Sequence, residues 1–263
     1  MTPNDAPNFT PTDEQSWTNL YWRLTKKGTK EGQACLVARQ VYDNNLLQGG
    51  ESWVTAGHPW LRYMRAEAYE LMDHHGTFKH WKAASTDMQQ AQMEMVDILI
   101  FALSHAIAEG RLELHCHLMA KAFDADHVRD FAGDRDINEA IEDLVELSFR
   151  DSIYWAQFAT ICYKLHLDFD KLVMLFEGKN ALNYVRATNG YKEGTYLKKW
   201  FGQEDNEILR ESVLNNNTVM EKIHRSGAAG VQANLRNFLN DIYLKAVAYR
   251  DEQGAPAGAA NAR

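Results

Sequence analysis

The chain has few of the residues that end helices. Of its five prolines, three fall within the first eleven residues, so the interior is almost free of the residue that breaks a helix. Strand-like alternation is nearly absent as well. Cysteine is scarce: Cys35, Cys116 and Cys162 are odd in number, widely spaced and without a Cys-x-x-Cys. They read as reduced core thiols in a cytoplasmic protein, or one of host cytoplasm if the source is viral. No window approaches the roughly 18 uninterrupted apolar residues of a membrane span. Residues 1–7 lack the basic and apolar regions of a signal peptide. Basic charge is also short, with 28 Lys and Arg against 36 Asp and Glu and a net charge of −8. That balance argues against broad nucleic-acid binding.

What remains is helix. The apolar content of 45% is ample for a packed core in 263 residues. Helical periodicity predicts an all-α multi-helix bundle in one domain over 12–250, with flexible ends at 1–11 and 251–263. Helices are predicted at about 12–25, after a Thr-Asp-Glu signal, and at 33–45. The next begins near Pro59 and ends at His74-His75-Gly76. Another runs from about Asp87 to Ala108 and stops at Gly110. Two more are placed within 112–130 and 136–166, one over 168–188, short ones over 204–225 and a last over 231–250.

Two acidic pairs share one spacing, Glu67 with Glu70 and Glu94 with Asp97. Residues three apart share a helix face, with Cβ atoms about 5–6 Å from each other. The first pair alone suits a solvated face, because glutamate is common there. The second borders the apolar run Met95-Val96-Asp97-Ile98-Leu99-Ile100-Phe101, where an unpaired carboxylate is costly to bury. The 23 residues between Glu70 and Glu94 suffice for a turn and an antiparallel return. Facing carboxylates would repel unless a cation stood between them. An all-oxygen set favours Mg²⁺, with Mn²⁺ as a substitute, over iron or zinc. Di-iron bundles use paired Glu-x-x-His, and this chain has a single one, Glu221 and His224. His74, His75, His115 and His117 read as surface or loop residues.

From Lys179 to Trp200 five basic residues, Lys179, Arg186, Lys192, Lys198 and Lys199, meet one acidic residue, Glu193. Lys179, Asn183 and Arg186 share a helix face. Either phosphate capture or a solvated basic helix end accounts for this composition. Gln15 and Asn19 are four apart; amides can pair with a base edge, although polar surface residues are the ordinary reading. Trp81 can stack on a base or fill the core.

Taken together, these residues resemble the dimeric all-α dUTPase family, within the wider all-α nucleoside triphosphate pyrophosphohydrolases that include phage dCTP pyrophosphatases. The resemblance rests on Glu67-Ala68-Tyr69-Glu70, Glu94-Met95-Val96-Asp97, Lys79-His80-Trp81-Lys82 between them, the block Gly178–Asn206, and Gln15 with Asn19. It covers roughly residues 12–210. Ile100 stands where family members often carry His, and Thr18 where the early motif usually has Leu. The resemblance implies hydrolysis of dUTP to dUMP and pyrophosphate, with dCTP, or both nucleotides, as the alternative. An inactive helical binding protein of the same fold is a further one. It implies that Glu67, Glu70, Glu94 and Asp97 hold Mg²⁺ and that Glu67 or Glu70 orients or deprotonates the attacking water. Lys179, Asn183, Arg186, Lys192, Tyr196 and Lys198 would bind phosphate. Gln15, Asn19, Trp81, Asn189 and Asn206 would face base and sugar. It also implies a homodimer, a small-molecule nucleotide partner, and neither nucleic acid nor membrane.

Overall fold

A computed structural model of the chain describes residues 10–76, 81, 86–216 and 228–253. Its contacts fall into two compact units, Met1–Val173 and Met174–Arg263. The boundary lies inside a helix, so no linker composition marks it. Residues 1–9 and 254–263 of the predicted flexible ends, most of Lys79-His80-Trp81-Lys82, and the Glu221/His224 pair lie outside the described residues; Asp251 and Glu252, placed by the sequence in a flexible end, continue the last helix.

The first unit is wholly helical among its described residues. It holds α1 (Glu14–Thr25), α2 (Thr29–Gly49), a 3₁₀ turn (Glu51–Val54), α3 (Trp60–His75), α4 (Met88–Ala108), α5 (Leu112–Ala122), α6 (Ala125–Ala132), α7 (Ile137–Ser148), α8 (Trp155–Lys164) and the start of α9 (Phe169–Thr188). Local chemistry sets the ends. The Asp13 carboxylate accepts from Ser16 N at 2.8 Å and opens α1, and the Asp87 carboxylate accepts from Gln90 N at 3.0 Å and opens α4. Gly76, with φ +73, takes the left-handed position that closes α3.

Among the described residues, α3 and α4 make the most extensive helix–helix packing. Asp87 N donates to His74 O at 2.9 Å and Thr86 Oγ1 to His75 O at 3.0 Å. These bonds place the start of α4 at the end of α3, so the two run antiparallel. Ile98, Leu99 and Leu103 on α4 are wholly buried, each contributing about 1.5–3 kcal/mol. Among the described residues α4 is the one helix long and apolar enough to cross a membrane. However, 72% of that stretch is buried within the fold, and buried Glu94 interrupts it.

Two predicted helices are four. The 112–130 stretch divides at Asp124, whose carboxylate accepts from His127 N at 3.4 Å and starts α6. The 136–166 stretch divides between α7 and α8, where Asp151 adopts a left-handed backbone with φ +57. Neither break carries a proline or glycine, the residues that most clearly mark a helix end. The three cysteines are free and buried, as predicted.

His115 corrects the reading of the histidines: it is buried in α5, 6% exposed, with Nδ1 accepting from Trp155 Nε1 at 3.0 Å. Burial, with Arg111 and His105 nearby, lowers its pKa from 6.5 to about 4. The unfolded chain therefore takes up a proton that the folded chain refuses as pH falls from about 6.5 toward 4. This stability is present above the unfolded value and is lost on acidification, by on the order of 3 kcal/mol in all. A His115→Gln variant is expected to show a flatter acid limb in urea unfolding between those pH values; equal slopes would contradict this.

The second unit contains the rest of α9, a two-residue hairpin of β1 (Lys199–Trp200) and β2 (Gln203–Glu204), α10 (Asp205–Leu209), a π-helical turn (Arg210–Leu214) and α11 (Ala228–Glu252). The strands pair antiparallel, Lys199 opposite Glu204 and Trp200 opposite Gln203. Phe201 and Gly202 turn the chain with φ +53 and +89, the signs a two-residue hairpin prefers. Trp200, Tyr196 and Tyr243 form its aromatic core, with Tyr196 and Tyr243 stacked at 5.0 Å.

Candidate metal and nucleotide site

On α3, the i, i+3 spacing sets Glu67 and Glu70 on one face, half-buried and exposed respectively. Glu94 projects from α4 and is only 4% exposed. Because the helices run antiparallel and packed, carboxylate oxygens of Glu67, Glu70 and Glu94 lie within 4.8 Å of one another. Asp97, half-buried one turn further along α4, does not belong to that mutually close group. Gln90 Nε2 donates to Glu94 Oε1 at 2.8 Å, and His74 Nε2 lies 3.5 Å from the same oxygen. His74 is thus no loop residue but the end of α3 beside the cluster; only the tertiary turn reveals it.

Three oxygen-only donors converge here, one of them almost fully buried. Gathering negative charge in this way is costly without a counter-ion. Mg²⁺ takes oxygen ligands at about 2.0–2.1 Å and usually keeps waters or substrate phosphates in its remaining positions. The donor set fits that ion.

Gln15 and Asn19 are exposed on α1, where Gln15 Nε2 donates to Asn19 Oδ1 at 3.0 Å. Trp81 is 66% exposed and fills no core position.

In the second unit the basic block organises around a residue the sequence reading did not single out. Asp205 is fully buried. Arg186 Nη2 and Nε donate to its two oxygens at 2.7 and 2.8 Å, and Tyr196 Oη donates at 2.9 Å. Burial alone would lower the Arg186 pKa; the Asp205 carboxylate outweighs it and holds the guanidinium above its usual range. Burial, reinforced by Asp205, pushes the Tyr196 phenol up. Both groups therefore keep their protons, and their strongest bonds are made to protein. Arg186 also donates to Asn183 Oδ1 and Asn206 Oδ1, at 3.4 and 3.3 Å, so it fixes two of the predicted amides.

Lys179 is buried, 5% exposed, and donates to Asn206 Oδ1 at 3.4 Å. Asn189 Nδ2 donates to Val185 O at 2.8 Å and Asn240 Oδ1 at 3.1 Å. Lys192 and Lys198 are exposed, with Lys198 Nζ 3.6 Å from Glu204 Oε2. No short-range sequence signal marks Asp205, because its partner is nineteen residues away.

Comparison with known proteins adds one match. A sequence profile described as dUTPase matches residues 38–191, more than half of the chain. It takes in all four motif carboxylates, Trp81, Lys179, Asn183, Arg186 and Asn189. Gln15, Asn19, Lys192, Tyr196, Lys198 and Asn206 fall beyond it. No curated protein matches the chain.

Proposed function

We propose that the chain, which belongs to the all-α dUTPase family and is a nucleoside triphosphate pyrophosphohydrolase, acts on dUTP, and which of its residues carry that reaction. The observation that carries the proposal is the convergence of Glu67, Glu70 and Glu94 between α3 and α4. Those three, with Asp97 at the next turn, are the residues that would hold Mg²⁺, or Mn²⁺ in its place. When bound, the ion supplies charge neutralisation at phosphate oxygens and lowers the pKa of a coordinated water. Glu94, buried and held by Gln90, acts as the fixed ligand. Glu67 or Glu70 accepts the proton of the attacking water.

For the phosphate chain we propose Lys179, Lys192 and Lys198 as the charged contacts, with Tyr196 contributing through the network it shares with Asp205. Arg186 positions Asn183 and Asn206 more than it neutralises phosphate, since Asp205 already balances its charge. Asn189 and Asn206 are assigned to the sugar and Trp81 to stacking on the base.

The Gln15–Asn19 pair bears on the base. As oriented, it leaves the Gln15 carbonyl oxygen and an Asn19 N–H available, an acceptor and a donor that complement uracil N3–H and O4. Rotating both amides leaves the opposite order, which suits cytosine. Uracil selectivity therefore does not come from these two amides alone, and dCTP is the second reading they favour. A homodimer and a cytoplasmic setting complete the proposal. Exposed apolar side chains such as Trp22 and Leu36 support the dimer.

The test is a hydrolysis panel of dUTP, dCTP, dTTP and UTP, with Mg²⁺ and after chelation. Turnover is expected to be fastest on dUTP, to vanish with chelator and to return with Mg²⁺. Comparable turnover of dTTP, or full activity in chelator, contradicts the proposal. Faster dCTP turnover makes that nucleotide the substrate.

A further inference from the structure

A second cluster on α4 shares no residue with the carboxylates above. His105 and Glu109 are one turn apart at the end of that helix, eleven residues beyond Glu94, a separation of about 16 Å along the axis. Asp151 joins them from the α7–α8 connection. His105 Nε2 lies 3.3 Å from Glu109 Oε1 and 3.7 Å from Asp151 Oδ1. All three ligand atoms lie within 4.8 Å of one another.

An imidazolium bridging two carboxylates would aim its N–H along a hydrogen bond to one of them. Here His105 Nε2 is buried without any hydrogen-bond partner, although two carboxylates stand beside it. The spacing matches something else. Ligands bound tetrahedrally at about 2.0–2.2 Å stand about 3.3–3.6 Å apart, close to the separations seen. One imidazole and two carboxylates form a mixed N,O set that suits a first-row transition ion better than Mg²⁺. His105 and Asp151 also line a cavity of about 310 Å³ with His58, Arg62 and Arg65, which leaves a way in for a fourth ligand, water or a small anion.

We propose that His105, Glu109 and Asp151 form a binding site for a divalent transition-metal ion of the zinc class, separate from the Mg²⁺ site. The ion would tie the end of α4 to the α7–α8 connection.

Cobalt is the probe, added to the full chain after chelator treatment and followed by its visible absorption. Tetrahedral cobalt absorbs intensely, whereas cobalt in an octahedral oxygen site is pale. One equivalent is expected to develop the intense bands, and Zn²⁺ to displace it. The bands are expected to be lost in His105→Ala and in Asp151→Asn, and kept in Glu70→Gln. Zn²⁺ affinity should fall at least about tenfold in either of the first two variants, since losing even an outer-shell partner costs about 10–100-fold. Asp151 is largely exposed, so its variant remains informative should His105→Ala fold poorly. Absence of intense bands in the unaltered chain, their persistence in Asp151→Asn or His105→Ala, or their loss in Glu70→Gln overturns the proposal. Failure of the dUTP assay leaves this test intact, because it reads the cobalt chromophore and not turnover.

Discussion

Glu70→Gln combined with Glu94→Gln is expected to lower kcat for dUTP by about 10³-fold, the range associated with losing positioned acid–base and electrostatic groups. The amides keep the volume and most hydrogen-bonding capacity of the carboxylates, so what is removed is charge. Gln90 can still pair with the side chain at 94. Glu94 is 4% exposed and within 4.8 Å of two other carboxylates, so neutralising it relieves repulsion. The melting temperature should consequently hold or rise while turnover collapses. Pyrophosphate release and circular dichroism on the same preparations check both halves. Lost activity together with a lowered melting temperature would indicate a structural role for the cluster instead.

Asp205→Asn is expected to produce the largest loss of stability from a single substitution outside the apolar core. The carboxylate is fully buried and receives two bonds from Arg186 and one from Tyr196. Replacing it with an amide leaves a guanidinium, whose side chain is 14% exposed, without its counter-charge. Breaking a buried pair by removing one partner costs about 3–5 kcal/mol. Tyr196→Phe removes a single neutral donor to the same oxygen and should cost about 1 kcal/mol. Urea unfolding of the two variants measures the difference. Equal, small effects would mean that water reaches the Arg186 guanidinium and screens the pair.

How far the sequence could be read follows the range of each interaction. Helix α4 was legible nearly to the residue, because Asp87 caps it, an apolar run fills it and Gly110 ends it. The pairing of Glu67 and Glu70 was legible because i, i+3 spacing is a local property of a helix. The approach of Glu94 followed from one short connection between two helices. The same spacing argument grouped Asp97 with Glu94, while the mutually close group among the described residues is Glu67, Glu70 and Glu94. The α7–α8 break turns on one left-handed residue, Asp151, in a short Arg150-Asp151-Ser152 stretch without Gly or Pro. His115 was misread because a histidine's burial depends on a distant partner, here Trp155. For the same reason the basic block was legible as charge and not as structure: Arg186 looked available for phosphate until Asp205 stood against it.

The carboxylate cluster between α3 and α4 is the claim on which the rest depends, and Mn²⁺ binding followed by electron paramagnetic resonance tests it most directly. Titrating Mn²⁺ into the chain is predicted to quench the free-ion signal up to a defined stoichiometry, and the Glu67→Gln, Glu70→Gln, Glu94→Gln triple variant is predicted to leave that signal unquenched at the same concentrations. Identical titrations for the two proteins would contradict the assignment of these residues as the metal site.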